Sequence, residues 1–407
     1  MLKSIIVVYD SAEINGGAAN VAIRSTIALK EAGYDVHFYA ATGPINAEMV
    51  QKGIQVNCLF MNDINHGSKI TAMIHGVWNG KAKKEFDRFL SSFSPEDTIV
   101  HFHGWSKALS SSVIKVATKR KFKIFITLHD YFTVCPNGGF YDYQKQEICR
   151  RVPMSWECVK CNCDKRSYLQ KIWRDIRQVV QDRNVRNNPE INYLSISDLN
   201  ESVVRPYVKS KKFARLNNPV NLAGDKVKNC SKSRNFLYLG RLSEEKGTEL
   251  FCRAIAELKT QYDLEGVVIG DGQLLQSMKE RYPTVQFEGW KDKEEVPDFL
   301  LNARALVLPS KCYEGAPLSI VEAMSTGLPC IVADCTSATE LVQDGLNGLI
   351  FKANDIDSLK RSVIKALDND FISRISEQIK ESFNTQEYTD DYYIKKISGI
   401  YNRAILK

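Results

Sequence analysis

The 407-residue chain contains no run approaching the roughly 20 apolar residues that a membrane helix needs. The apolar stretch IIVVY after Lys3 is too short for the core of a secretory leader, and Asp10 ends it. The expectation is a soluble, cytoplasmic protein without a signal peptide. Tandem repeats and low-complexity tracts are missing, and so is any interleaved aromatic–basic motif of the kind that reads nucleic acid. What is present is bulk. With 44% hydrophobic residues, the chain is long enough to bury the cores of two domains. Its eleven cysteines, in a cytoplasmic setting, point to thiols or metal ligands rather than disulfides.

The net charge of +7 hides an asymmetry. Residues 1–215 carry 31 Lys and Arg against 20 Asp and Glu, while residues 216–407 carry 24 against 28. A basic first half suits an anionic partner such as a membrane surface, a lipid phosphate or nucleic acid; ordinary solvated charge is the alternative. Apolar patterning divides the chain in the same way. Ser4–Tyr9, Asp35–Ala40, Thr98–His103, Lys123–His129 and Tyr193–Ile196 predict buried strands, with a helix over Ala18–Ala32. The pattern restarts with strands at Asn235–Leu239, Gly266–Ile269, Val285–Glu288, Ala305–Leu308 and Pro329–Ala333 and a helix at Glu249–Leu258. Two successive βα series predict an α/β fold of two Rossmann-like domains, with ligands outside the carboxyl ends of the strands. The Lys-, Asn- and Ser-rich stretch 208–234, which contains Pro219 and Gly224, marks the break. The expected domains are 1–216, with a Cys-rich insertion at 131–164, and 217–387. A final helix over 388–407 packs back on the first.

The segment Tyr313–Pro329, YEGAPLSIVEAMSTGLP, carries the clearest chemistry. Glu314 follows a predicted strand. Pro317 suits the first position of a helix, where no amide hydrogen is required. The amides of Leu318, Ser319 and Ile320 would then point out of the helix N-terminus and offer an anion site. Glu322, about one turn further in, would accept hydrogen bonds from a sugar diol. Upstream, FLYLGRLSEEKG at 236–247 places Arg241, a planar fork, and Lys246, a movable point charge, after a strand and a tight turn. Together they would neutralise a diphosphate. In the first half, Gly16 and Gly17 let backbone approach a ligand closely. His103 ends a predicted strand, with His101 on the same face. His129 and Asp130 end the next strand.

These residues resemble glycosyltransferase family 4, retaining enzymes of the GT-B fold. The likeness is carried by GRLSEEKG at 240–247, GDG at 270–272, FEGW at 287–290, LPS at 308–310, EGAPLSIVEAMSTGLP at 314–329 and ATELVQDGLNGLIF at 338–351. In the first half only INGGAAN at 14–20 and VHFHGW at 100–105 contribute. The resemblance implies two domains facing across a cleft and a C-terminal helix that returns to the first. It also implies roles. Arg241 and Lys246 match the pair that grips the nucleotide diphosphate, Glu314 the glutamate that holds hydroxyls of the transferred sugar, and Glu322 the one that binds ribose. Gly315, Leu318 and Ser319 match positions whose backbone contacts sugar or phosphate. The Gly16–Gly17 loop matches one near the donor phosphate, and His103 a histidine near the reacting carbon. Apart from the resemblance, the position of His129 and Asp130 at a strand end suits contact with the acceptor, with a plain strand-end cap as the alternative. Ala316–Pro317 stands where the family often has Phe-Gly, which removes one backbone donor and stiffens the loop.

The implied reaction moves a sugar, with retention, from a UDP- or GDP-linked donor to a hydroxyl of a glycan or polyprenyl-diphosphate-linked acceptor in bacterial surface-polysaccharide synthesis (O-antigen, capsule or exopolysaccharide). No metal is required for that chemistry. A non-catalytic scaffold that binds nucleotide sugar is the alternative. A glycoside hydrolase using Glu314 and Glu322 as acid and base is disfavoured, because such carboxylates flank one bond from opposite sides. Nucleic acid is not an expected partner.

Two features stand outside the motifs. Cys135, Cys149, Cys158, Cys161 and Cys163 cluster in a stretch otherwise poor in periodic structure. Four thiolates suffice for a structural zinc, and buried thiols are the alternative. A subset of bacterial polysaccharide glycosyltransferases looks similar here, which implies Cys135, Cys149, Cys158 and Cys163 as the ligands. After the cluster, Tyr168, Leu169, Ile172, Trp173, Ile176, Val179 and Val180 form one apolar helical face interleaved with Lys and Arg. The expectation is that this face packs on the core and leaves the basic edge exposed; a helix lying on an anionic membrane, with the protein peripheral on the inner face of the plasma membrane, is the alternative.

Overall fold

The strands form where β-branched and aromatic residues run together. In chain order they are β1 (Ser4–Ser11), β2 (Asp35–Thr42), β3 (Gln55–Cys58), β4 (Thr98–Phe102), β5 (Lys123–Thr127), β6 (Tyr141–Asp142), β7 (Glu147–Ile148), β8 (Asn192–Ser195), β9 (Phe213–Arg215), β10 (Asn235–Leu239), β11 (Glu265–Ile269), β12 (Gln286–Gly289), β13 (Ala305–Leu308), β14 (Cys330–Ala333) and β15 (Gly348–Phe351). This computed structural model describes residues 2–62, 69–220, 222 and 229–406. Most of the glycine-bearing part of the expected break, including Gly224, lies outside the described residues. Every strand expected from an apolar run is present to within two residues.

The chain divides into two units. One comprises Met1–Phe140, Arg150–Pro219 and Thr389–Lys407; the other comprises Tyr141–Cys149 and Val220–Tyr388. The first is built on a seven-stranded sheet in the order β3-β2-β1-β4-β5-β8-β9, and the second on a six-stranded sheet in the order β12-β11-β10-β13-β14-β15. Strand pairing in both is parallel throughout. Parallel sheets are covered on both faces, so their strands are apolar along their length rather than alternating. Ile5 to Val8 of β1 are all fully buried. The fold is α/β and of the GT-B type.

In the first unit, Ile5, Val7, Ile99 and Phe125 pack with Ala19, Ala22 and Ile23 of the helix Gly17–Glu31. Tyr39, Phe86 and Phe102 make an aromatic cluster, with Tyr39 and Phe86 ring centroids 4.6 Å apart. The C-terminal helix Asp390–Ile405 belongs to this unit. Its Tyr393, Ile397 and Tyr401, spaced one turn apart, enter the same core. At its N-terminus Asp390 takes both arms of the Arg24 guanidinium, at 2.7 and 2.8 Å.

Two expectations need correction. Residues 141–149 of the Cys-rich insertion form the antiparallel hairpin β6–β7 and group with the second unit, not the first. The helix Tyr168–Asp182 also turns the opposite face inward. Lys171, Asp175, Arg177, Gln178 and Gln181 are buried, while Leu169, Ile172, Ile176 and Val179 face solvent. Of the apolar set, Trp173 alone is buried. The polar face wins because loop carbonyls need its donors. Arg177 Nη2 donates to the Pro136 carbonyl (3.0 Å), Gln178 Nε2 to that of Thr133 (3.4 Å) and Gln181 Nε2 to that of Phe132.

Tyr401 Oη lies 2.7 Å from His101 Nδ1 in the buried core of the first unit. Tyr401→Phe is expected to leave that nitrogen unpaired and to lower unfolding stability by about 1–3 kcal/mol in urea titrations. An unchanged midpoint would mean that the bond carries no net stability.

Candidate functional site

The candidate residues form one constellation in each unit. In the second unit the strand order places β10 beside β13, where the direction of winding reverses. Loops leaving the carboxyl ends of two such strands part company and open a crevice, the usual ligand position of an open parallel sheet. The loop after β10 carries Arg241 and Lys246; the loop after β13 carries Ser310, Glu314 and Gly315.

Close packing sets the first of these loops. A short 3-10 turn, Glu244–Lys246, ends at Gly247 with φ 70°. A Cβ there would lie 1.9 Å from the Pro309 carbonyl oxygen, so only glycine lets the two loops meet. Lys311 N donates to the Glu245 carbonyl at 2.9 Å and ties them again. As a result Lys246 Nζ reaches Glu314 Oε1 at 2.5 Å, and Ser310 Oγ donates to the same oxygen at 2.6 Å. Burial pushes the Glu314 carboxyl up, but the Lys246 ammonium and the Ser310 hydroxyl more than offset it, so its pKa falls below the ordinary value. Burial likewise pulls Lys246 down, and Glu314 more than restores it, so its pKa rises. With side chains 28% and 12% exposed, the pair lies between surface bridges worth about 0–1 kcal/mol and buried ones whose rupture costs about 3–5 kcal/mol. Arg241, 65% exposed, is braced by Glu245, whose Oε1 accepts from Nη2 at 2.7 Å.

The helix Leu318–Thr326 starts one residue later than expected. Pro317 is its N-cap, at φ −75° and ψ 101°, rather than its first helical residue. Ile320 N is occupied by the Pro317 carbonyl at 3.1 Å, so the open amides are those of Leu318 and Ser319. Glu322 sits in the second turn, half-buried. The hairpin β6–β7 backs these loops within the same unit. Lys311 Nζ lies 3.5 Å from Gln146 Oε1. The Tyr141 hydroxyl is pushed up by burial and by the nearby Cys312, Glu245 and Glu244.

In the first unit, β1, β4 and β5 end side by side. Asp10, at the end of β1, accepts three backbone amides from the loop after β4: Lys107 (2.9 Å), Ala108 (2.8 Å) and Leu109 (2.9 Å). His101 Nε2 meets Thr127 Oγ1 at 2.7 Å. His103 Nδ1 meets His129 Nε2 at 2.9 Å, so the structure brings these two expected site residues together. Burial pulls all three histidines down, His101 to about 3 and His129 to about 4, and they are neutral near pH 7. His103 Nε2 is buried and has no partner among the described residues. An orphaned nitrogen of this kind costs stability unless a ligand satisfies it. Asp130 keeps solvent contact, with Oδ1 accepting from Phe132 N at 2.9 Å. Surrounding protein still removes enough water to push its carboxyl up to about 6, against the pull of Arg177 and Lys107. Gly16 caps the helix Gly17–Glu31, and a Cβ on Gly16 or Gly17 would meet nothing within 4 Å. Space is therefore open at that helix N-terminus.

Sequence reasoning missed Ser310, Glu245 and Asp10. Asp10 entered it only as the residue that ends an apolar run, yet a carboxylate closing a buried strand was a usable signal. Of the expected ligands, Cys135, Cys158 and Cys163 belong to the first unit and Cys149 to the second. Among the described residues no three His, Cys, Asp or Glu side chains are placed to hold a metal ion. Cys135 is a buried thiol pushed up to about 11, chiefly by burial, and its Sγ bonds Asn137 Oδ1. A cavity of about 580 Å³ lined by Arg215, Lys395, Lys396 and Arg403 contains none of the residues above, so chemistry rather than volume locates the site.

The profile of the family described as "Glycosyl transferases group 1" matches residues 225–383. The stretch holds Arg241, Lys246, Glu314 and Glu322. Among curated proteins, the UDP-Gal:alpha-D-GlcNAc-diphosphoundecaprenol alpha-1,3-galactosyltransferase of Escherichia coli is 32% identical over 227 residues, 51% of this chain and 57% of that protein. The chain spans about half the length of the curated relatives it matches. Among solved structures, Anabaena HepE in complex with UDP superposes with a TM-score of 0.67 at 14% identity, covering 99% of this chain and 100% of that one. Sucrose-phosphate synthase from Thermosynechococcus elongatus gives 0.72 at 15%, with 98% of both chains covered. At these identities the structures establish the fold.

Two outcomes follow from the geometry. Gly247→Ala forces a left-handed residue and a carbonyl clash together; a loss of at least about 2 kcal/mol in denaturant unfolding is expected. Asp130 has a folded pKa above its unfolded value, so it opposes folding increasingly as pH rises from about 4 through about 6. Asp130→Asn should remove that slope from Tm measured against pH, and an identical slope in the variant would refute the placement.

Proposed function

We propose that the second unit binds a nucleotide-diphosphate sugar and that the chain transfers its sugar, with retained configuration, to a hydroxyl of a glycan or lipid-linked acceptor in cell-surface polysaccharide synthesis. The observation that carries this reading is the Lys246–Glu314–Ser310 cluster beside Arg241 and the open amides of Leu318 and Ser319. Cations and helix amides suit a diphosphate, and a carboxylate one loop away suits the hydroxyls of the sugar it carries. The similarity of residues 225–383 to group 1 glycosyltransferases supports it. HepE is described with UDP, and the Escherichia coli relative as acting on a diphosphoundecaprenol-linked acceptor, which favours a uridine donor and a polyprenyl-linked acceptor.

In this mechanism the bond between the anomeric carbon and the diphosphate oxygen breaks. The acceptor oxygen bonds to that carbon on the same face, and its proton passes to the departing phosphate. Arg241, Lys246 and the two amides hold the leaving charge without a metal. Glu314 holds sugar hydroxyls and Glu322 the ribose; Gly315 and the Gly16–Gly17 loop allow close backbone approach. His103 orients the reacting sugar through Nε2, which as part of a neutral pair either donates or accepts according to the tautomer that His129 imposes. His129 and Asp130 serve the acceptor. Glu314 is ionised above its depressed pKa and Lys246 is charged below its raised one. The clamp is therefore constant through neutral pH and weakens only in strong acid or base.

Calorimetry with UDP- and GDP-sugars, together with a transfer assay, tests the assignment. Lys246→Ala should weaken nucleotide-sugar binding on the order of 10- to 100-fold. Glu314→Gln should keep most nucleotide affinity and lower kcat about 100-fold or more. Full activity in either variant overturns the site; tight binding without turnover on any lipid-linked acceptor would favour the scaffold reading. The zinc reading of Cys135, Cys149, Cys158 and Cys163 is separate from the reaction. One zinc per purified chain would support it, and metal-free protein would leave these residues as thiols.

A further inference from the structure

The helix Tyr168–Asp182 is folded inside out. Its charged and amide side chains are turned into the protein, where Lys171 pairs with Asp175 and Gln181 accepts from Trp105 Nε1 at 2.8 Å. Leu169, Ile172, Ile176 and Val179 point outward with 79%, 39%, 53% and 47% exposure. Their spacing of three, four and three residues draws one straight stripe along a helix about 22 Å long. The stripe widens where Trp173 Nε1 donates to the Met73 carbonyl at 3.0 Å and brings in the helix Lys69–Val77, whose Met73 and Ile74 are 51% and 60% exposed. Scattered exposed leucines need no explanation, but an exposed apolar stripe along one helix, packed beside a second helix that also exposes apolar side chains, does. Arg166, just before the helix, and Arg183, at its C-cap, are both exposed; the Arg166 backbone amide bonds Asp164 Oδ1 at 2.9 Å, and neither guanidinium group is paired with a carboxylate among the described residues.

We propose that this face docks the protein on an anionic lipid bilayer, with the helix lying in the plane of the interface, Leu169, Ile172, Ile176 and Val179 among the upper acyl chains, and Arg166 and Arg183 on the headgroup phosphates. Charge selects the occupant. A stripe bounded at both ends by arginines would set like charges together in many pairings with a second copy of itself, whereas anionic headgroups neutralise both ends at once. The first 215 residues, with 31 Lys and Arg against 20 Asp and Glu, add a long-range attraction of the same sign.

Sedimentation of the full chain with vesicles of phosphatidylcholine, with and without phosphatidylglycerol, tests it. Binding is expected to the anionic vesicles, at least about 10-fold stronger than to the neutral ones at low salt, and to fade as salt is added. Ile172→Glu and Ile176→Glu should each weaken it on the order of 10-fold or more. The Arg166→Glu/Arg183→Glu double variant should weaken it and flatten its salt dependence. All these side chains face solvent, so unfolding midpoints and nucleotide-sugar affinity should hold, which separates failure of docking from failure of the site. Absence from anionic vesicles at low salt overturns the proposal. Binding indifferent to the isoleucine variants, or a dimer that those variants dissociate in light scattering, overturns it as well.

Discussion

The contact between Lys246 and Glu314 joins residues 68 positions apart in the chain, and most of the second unit's architecture serves to make it. The pair exists because the sheet reverses its winding between β10 and β13. It is short because Gly247 lets one loop press against the Pro309 carbonyl of the other. Ser310 then satisfies the carboxylate from a second side, and Glu245 holds Arg241 outward beside it. Without a ligand the cation and the carboxylate neutralise each other, which keeps both ordered at modest desolvation cost. On the proposed function, a diphosphate arriving at the helix N-terminus would find the lysine already in place and would need only to share it. Glu314 is left with acceptor capacity for hydroxyls.

The first unit uses the same topology for a different kind of chemistry. Its strand ends lie near Lys107 and Arg177, whose charges act on Asp130. They present neutral imidazoles, kept neutral by burial, and a carboxylate whose three amide bonds organise the loop after β4. The C-terminal helix contributes to this arrangement although it is last in the chain, since Tyr401 reaches His101 and His101 packs at 4.1 Å between ring centroids against His103. On the proposed function, the cations of one unit and the neutral hydrogen-bonding groups of the other would answer different demands of moving a sugar off a charged leaving group.

Much of this was legible from residue order alone, for identifiable reasons. Parallel strands buried on both faces are continuous apolar runs, so β1, β4, β5, β10 and β13 could be read directly. β3 (Gln55–Cys58) and β9 (Phe213–Arg215) could not. They are short edge-side strands, and the burial of β3 alternates between exposed and half-buried. The donor cluster was legible because glycine, charge and helix-start signals coincide there. The His103–His129 pair was visible only as two separate strand ends, since register across β4 and β5 is a tertiary fact. Ser310 and Asp10 were hidden because a serine or an aspartate at a strand end has many ordinary uses.

The helix Tyr168–Asp182 shows where periodicity stops being informative. The spacing of its apolar residues fixes the line along which polar and apolar faces separate, but not which face is inward. That choice depends on what the neighbouring chain needs. Here the neighbour is the irregular start of the Cys-rich insertion, whose carbonyls at Phe132, Thr133 and Pro136 have no strand or helix to satisfy them. An unpaired buried carbonyl costs more than an exposed leucine. Gln181, Gln178 and Arg177 supply the missing donors, so the helix turns its polar face inward and holds the loop that composition had marked as needing a staple. The apolar face is left outside as the consequence, and an apolar face left in water is stable only as far as the inward bonds outweigh it. Any surface that takes up that face recovers the difference, which is why the outward stripe reads as a docking element rather than as an error of packing.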